Sequence, residues 1–143
     1  MDKRVNKTYV SENNFYSLKY PESFLVHQED NVVTIFPEND QSALTISSYY
    51  VEKGVDDAHF QEVFESITKG YTVEGEKVEL NENIWIQQFS RISDQEKVIW
   101  NICLNRNGNV LLIITLNFGE GEDDEIINQY QEIFQSIQNH GAE

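Results

Sequence analysis

The chain has a single cysteine among its 143 residues, and no apolar run approaches the length of a membrane span. Cys103 therefore cannot form an internal disulfide, and it lies within an apolar segment. We expect it to be a small buried side chain in a reducing compartment. The basic residues near the N-terminus are not followed by an apolar stretch, so no secretory signal is predicted and a cytoplasmic location is expected.

Positive charge is also scarce. Ten lysines and arginines stand against 25 aspartates and glutamates, which gives a formal net charge of −15. Such a chain repels phosphate backbones and anionic lipid, so neither nucleic acid nor a membrane is expected as a partner. Two interpretations of the acidity stay open: it maintains solubility, or it speeds association with a basic protein.

Motifs for catalysis or cofactor binding are missing as well. Gly119-Glu120-Gly121 is rich in glycine, but the acids around it would repel a phosphate group. His27, His59 and His140 do not have the spacing of metal ligands. We therefore expect no enzyme activity, no cofactor and no metal.

The clearest structural signal runs from Trp100 to Ile137. Asn107-Gly108 lies between two apolar runs and predicts a two-residue hairpin turn with positive φ at both central positions. Apolar residues then recur with helical spacing at Ile126, Ile127, Tyr130, Ile133, Phe134 and Ile137. This single stripe predicts an amphipathic helix packed on a sheet.

The rest of the chain predicts further strands, a second helix and two irregular ends. Residues 1–13 are polar and predict a loose arm or a short helix, and residues 139–143 predict a frayed tail. Asp56 or Asp57 would cap this additional helix, and Gly70 would follow its end. The buried face of this helix is expected to carry Phe60, Val63, Phe64 and Ile67.

Apolar residues on both sides of one strand indicate how these elements pack. Ile84 and Ile86 alternate with Trp85 and Phe89, as expected for a strand covered on both faces. We therefore predict an α+β fold with a single mostly antiparallel sheet of about seven strands and helices packed on its faces. This α/β/α sandwich would form one domain spanning residues 1–143.

A series of aromatic residues and turns adds a further cue. The chain has Phe15-x-x-x-x-Tyr20-Pro21 followed by Phe24, then Trp85 in a meander, the Asn107-Gly108 hairpin, and Tyr130-x-x-x-Phe134 on the last helix. In this order the features resemble the PsbP-like fold family, over nearly the whole chain from about residue 14. The resemblance implies a non-enzymatic role in binding or assembly, and it carries over no site residue.

Five acids in six positions form the densest chemical feature: Glu120, Glu122, Asp123, Asp124 and Glu125. Three interpretations stay open. The acids could stabilise the positive end of the following helix. They could form a patch for a basic partner. They could also bind calcium, although their spacing differs from that of an EF-hand loop.

Tyr49 and Tyr50 are a second candidate for partner binding. They are adjacent on one predicted strand, so one of them faces away from the buried side unless both sides are covered. Tyrosine is enriched in protein interfaces, and an exposed tyrosine beside acids suits such a surface.

Together these observations predict a non-enzymatic cytoplasmic protein whose acidic surface binds a basic protein. An immunity protein or another inhibitor is one form of this role. The alternatives are a structural module that self-associates through an uncovered sheet edge, and a small-ligand binder with a pocket between sheet and helix. The oligomeric state stays open.

Overall fold

The computed structural model describes residues 6–38 and 40–142. Over these residues the chain forms eleven strands and two helices. In chain order they are β1 (Asn6–Val10), β2 (Tyr16–Pro21), β3 (Phe24–Glu29), β4 (Val32–Pro37), β5 (Ala43–Tyr50), α1 (Asp57–Thr68), β6 (Thr72–Val73), β7 (Val78–Asn81), β8 (Ile84–Ser93), β9 (Glu96–Asn107), β10 (Val110–Gly119), α2 (Asp124–Ser136) and β11 (Gln138–Asn139).

The strands form two antiparallel sheets. The larger has the order β3-β4-β5-β10-β9-β8-β6, with β7 also paired to β8, and the smaller has the order β1-β2-β11. The α+β class and the antiparallel pairing are as predicted. The prediction of a single sheet of about seven strands was wrong. Both chain ends supply strands that the sequence did not reveal, and these strands form the smaller sheet with β2.

Those two end strands flank β2. Asn6–Val10 pairs along Ser17–Pro21, so this part of the predicted loose arm is ordered, while residues 1–5 lie outside the described residues. Gln138–Asn139 pairs with Ser17 and Tyr16, and the backbone N–H of His140 donates to the carbonyl of Phe15 at 2.8 Å. The predicted frayed tail is therefore held by backbone hydrogen bonds up to His140. These edge strands are largely exposed, so hydrophobic periodicity could not mark them.

The β9–β10 hairpin was predicted correctly in position, but its turn is shifted by one residue. Asn107 pairs with Val110, so the two central residues are Gly108 and Asn109. Gly108 has φ of +58°, whereas Asn109 does not have positive φ. This pattern fits a type II′ turn, in which glycine occupies the first central position. Asn109 instead uses its side-chain amide to bond the carbonyl oxygens of Val51 and Glu52.

The two helices lie on opposite faces of the larger sheet, as predicted. On one face, Tyr130 and Ile133 of α2 pack with Leu112 and Ile114 in a core that also includes residues of β2. Ile126, Phe134 and Ile137 are half-buried against this core.

The second face carries a smaller core. Phe60 and Phe64 of α1 pack with Leu104 and Leu111. Trp85 lies against both phenylalanines, with ring centroids 4.8 Å and 5.8 Å away.

Arg106 attaches the start of α1 to the sheet. Its guanidinium donates to the backbone carbonyls of Val55 and Glu82, both at 2.9 Å, and its Cζ atom lies 4.4 Å from the centroid of the Phe60 ring. It also contacts Asp57, but the Asp57 side chain is 95% exposed, whereas that of Arg106 is only 9% exposed. The two carbonyl hydrogen bonds and the ring contact therefore contribute more to folding stability than the ion pair does, because exposed ion pairs contribute little.

Arg106→Lys keeps the charge but cannot bond both carbonyls with the same fork geometry. We expect it to lower the free energy of unfolding by about 1–3 kcal/mol, because buried carbonyls lose their donors. Asp57→Asn is the matched comparison and should cost much less. Urea denaturation of the two variants measures both effects, and equal losses would contradict this assignment.

Candidate functional site

The acidic turn connects β10 to α2, and its residues already have structural roles. Asp123 caps α2, with its side-chain oxygen accepting a hydrogen bond from the backbone N–H of Glu125 at 2.8 Å. Asp124 and Glu125 lie in the first helical turn, where negative charge is favoured. These contacts support the capping interpretation for this part of the turn.

Glu120 belongs to an ion-pair network that reaches the neighbouring hairpin. The Lys97 ammonium lies 3.4 Å from Glu120 and 3.3 Å from Glu74. A hydrogen bond from Ser90 and another from Lys97 lower the pKa of Glu74, and Glu74 in turn raises the pKa of Lys97. This network brings the β10–α2 turn against the beginning of β9.

Glu122 lies close to the carboxylate of Asp40, a neighbour that the sequence did not predict. Burial and the neighbouring charge of Asp40 raise the pKa of Glu122. Ser42 bonds both Asp40 and the Tyr130 hydroxyl, the latter at 2.8 Å. Burial also raises the pKa of Tyr130. Asp40 lies about 80 residues from Glu122 in sequence, so only the fold brings the pair together.

The described residues of this turn do not form a set of ligands for calcium. Among the described residues, no three His, Cys, Asp or Glu side chains are placed to hold a metal ion. Cys103 is buried, and burial raises the pKa of its thiol to about 12, so it is not activated as a nucleophile.

Tyr49 and Tyr50 are exposed but lie far from the acidic turn. They pair with Leu111 and Val110 at the beginning of β10, whereas the turn follows Gly119 at its end. At about 3.4 Å per residue, the two regions are roughly 27 Å apart along the strand. Tyr50 stacks on the Phe15 ring at 6.3 Å. The seven predicted site residues therefore form two separate patches.

A groove of about 490 Å³ lies between α2 and the strands β7 to β10. Its walls are mainly apolar, with Leu80 and Ile86 on one side and Ile127 and Phe134 on the other. None of the residues that line it is charged. Its volume lies within the roughly 300–1,000 Å³ typical of ligand pockets. The sequence could not locate this groove, because its walls come from distant segments.

None of the helices in the described part of the chain is both long enough and apolar enough to cross a membrane.

Comparisons with known proteins establish the fold. No family model and no curated protein sequence matches this chain. Among solved structures, the Ran-binding protein Mog1p of Saccharomyces cerevisiae has a TM-score of 0.61 and 11% identity, over 97% of this chain and 97% of that one. Cyanobacterial PsbP (CyanoP) from Synechocystis sp. PCC 6803 has a TM-score of 0.62 and 11% identity, over 97% and 95%.

A Bacteroides thetaiotaomicron structure has a TM-score of 0.68 and 12% identity, over 94% of this chain. The present chain spans about half of that protein, 48% of its length. At these identities the likeness shows the fold alone. The PsbP-like fold predicted from the sequence is confirmed.

The Glu122 carboxylate gives a pH prediction. Its pKa is raised above the unfolded value of 4.5, so the folded state binds the proton more tightly than the unfolded state does. Protonated Glu122 therefore adds its full stabilising contribution to the folded state below pH 4.5. This contribution is lost as pH rises through the pKa that Glu122 has in the folded state. Glu122→Gln should raise the urea midpoint at pH 7, and the gain should shrink towards pH 4.

Glu62→Gln, an exposed change on α1, is the matched charge control and should show no such pH-dependent gain. A Glu122→Gln gain that stays constant from pH 7 to pH 4 would contradict the assignment.

Proposed function

We propose that this protein is a non-enzymatic cytoplasmic binding protein whose acidic end recognises a basic protein. The acidic end is the edge where the β4–β5, β8–β9 and β10–α2 turns meet. It comprises Glu38, Asp40, Asp94, Glu96, Glu120, Glu122, Asp123, Asp124 and Glu125. An inhibitor or immunity protein that covers a basic surface is one form that this role would take.

The observation that carries the proposal is the convergence of three acidic turns at one edge. Glu120 bonds β9 through its backbone N–H, which donates to the carbonyl of Lys97, and through its ion pair with the Lys97 ammonium. Glu122 reaches the β4–β5 turn through Asp40. Ser93 pairs with Glu96 beside them, which places the β8–β9 turn at the same edge.

Charge balance at this edge supports a cationic partner. Lys97 is already paired with Glu74 and Glu120, and Arg91 lies 5.3 Å from the Tyr71 ring. Among the described residues, several carboxylates at this end therefore face water beside only these two cations. Such a field raises the rate at which a complementary basic protein associates.

The chemistry of the perturbed groups supports a binding role over a catalytic one. The carboxylates with shifted pKa values take part in an ion pair with Lys97 or in the Glu122–Asp40 contact. Burial makes the Cys103 thiol a poor nucleophile. The name of Mog1p states that it binds Ran, which supports protein binding as a role that this fold can serve.

Two variants with the same net charge test the proposal. The acidic-end variant carries Glu38→Gln, Asp94→Asn, Glu96→Gln and Asp124→Asn. The control variant carries Glu29→Gln, Glu52→Gln, Glu62→Gln and Glu76→Gln. All eight positions are exposed, and each variant loses four negative charges. Asparagine also tolerates the positive φ of 51° at position 94.

Affinity capture from an extract of the native cell compares these variants with the unchanged protein. We expect a basic protein to be retained by the unchanged chain and by the control variant, and to be lost from the acidic-end variant. Its association should slow as salt rises, because ions screen exposed charges. Equal retention by both variants, or a partner that is not basic, would overturn the proposal.

A further inference from the structure

A polar cavity of about 200 Å³ lies between the two sheets, at the end opposite the acidic end. Its walls come from the β1–β2 turn, the β3–β4 turn and the end of β5. Tyr9 and Tyr16 contribute aromatic rings, and Glu12 and Asp30 contribute carboxylates. No lysine, arginine or histidine is among the described residues that line it.

One buried group in this cavity lacks a partner. The Tyr16 side chain is 1% exposed, and its hydroxyl makes no hydrogen bond to any described residue. A buried hydroxyl without a partner costs about 1–3 kcal/mol. A molecule in the cavity that bonds the hydroxyl removes this cost, and it reaches the hydroxyl when the Tyr16 side chain moves slightly, because less than 1 Å² of the oxygen is exposed.

Hydrogen bonds around the cavity leave the Glu12 and Asp30 carboxylates with unused acceptor capacity. The Gln28 amide donates to Glu12 at 2.7 Å, and the Tyr9 hydroxyl lies 3.3 Å from the Gln28 carbonyl oxygen, to which it donates. The Asn31 amide donates to the carbonyl of Ser48 at 2.9 Å. Burial and the Glu12 charge also raise the pKa of Tyr9, which agrees with a carboxylate close to its hydroxyl. The two carboxylates favour a ligand that carries positive charge and donates hydrogen bonds.

The aromatic rings favour the same kind of ligand. The Tyr9 and Tyr16 ring centroids lie 6.2 Å apart with planes tilted by 45°, and both rings line the cavity. Ring faces attract cations, and the attraction increases when water is excluded. The carboxylates and the Tyr9 ring together match an organic cation better than an anion or a neutral apolar molecule.

We propose that this cavity binds an ammonium or guanidinium group, with Glu12 and Asp30 supplying charge and the Tyr16 hydroxyl accepting a hydrogen bond. The group could belong to a free amine or to a lysine or arginine side chain of another protein. This proposal does not depend on the function proposed above, because the acidic end lies at the other end of the sheet.

Nitrogen-15 correlation spectra during titration test the cavity with defined probes. We expect n-butylammonium to give saturable shifts at residues around the cavity, such as Asn13 and Asn31. Neutral n-butanol and anionic butyrate should give none at the same concentrations. A Gly-Gly-Lys-Gly-Gly peptide compares the two sources: tighter binding than n-butylammonium indicates a protein side chain, and weaker binding indicates a free amine.

Tyr16→Phe and Glu12→Gln test the assigned roles. We expect each to weaken n-butylammonium binding about tenfold or more, since a hydrogen bond to a charged group is worth over 1.4 kcal/mol. Tyr16→Phe should leave the fold intact, because it removes only an unpartnered hydroxyl. Tyr20→Phe on the same strand and Glu22→Gln in the β2–β3 turn are the controls, and neither residue lines the cavity.

Three results would overturn the proposal. The cation could cause no saturable shift, which would mean that water alone fills the cavity. Butanol could bind as well as n-butylammonium, which would mean that charge is not recognised. Tyr16→Phe could bind the cation unchanged, which would remove the hydroxyl from the site. None of these results bears on the acidic end, whose variants leave the cavity residues untouched.

Discussion

The alternation of side chains along the β9–β10 hairpin is the constraint on which the rest of the structure depends. Cys103 faces the core under α2, while the next residue, Leu104, faces the core under α1. On the paired strand, Leu112 and Leu111 divide in the same way. A slip of one residue in this pairing would exchange the two faces along the whole strand. The hairpin therefore fixes both helical layers at once.

The two ends of the same hairpin position the two regions that we assign to binding. At the turn end, Asn139 bonds the carbonyl of Val110 at 3.2 Å, and Asn107 bonds the carbonyl of Asn139 at 2.8 Å. This clamp holds the C-terminal strand beside β2, whose first residue lines the polar cavity. At the other end, β10 leads directly into the acidic turn. A rigid strand pair thus separates a small cation pocket from a broad negative surface.

Local patterns in the sequence were enough to predict the hairpin, both helices and a cap at Asp56 or Asp57. The structure shows that Asp56 is the cap, since its side chain accepts from the backbone N–H of His59 at 2.8 Å. The strands at Asn6–Val10 and Gln138–Asn139 were missed because backbone pairing forms them without a buried face. The acidic turn was predicted as a candidate, but its contact with Asp40 was not. The cavity around Tyr16 was missed for the same reason, since its walls come from segments that meet only in the fold.

Native-state hydrogen exchange tests the central role of the hairpin most directly. If both layers depend on β9 and β10, the amides of Leu112 and Ile114 should be among the slowest to exchange and should open only with global unfolding. The amides of α1, which buries only Phe60 and Phe64, should open earlier. Exchange of the β10 amides ahead of those in α1 would contradict this account.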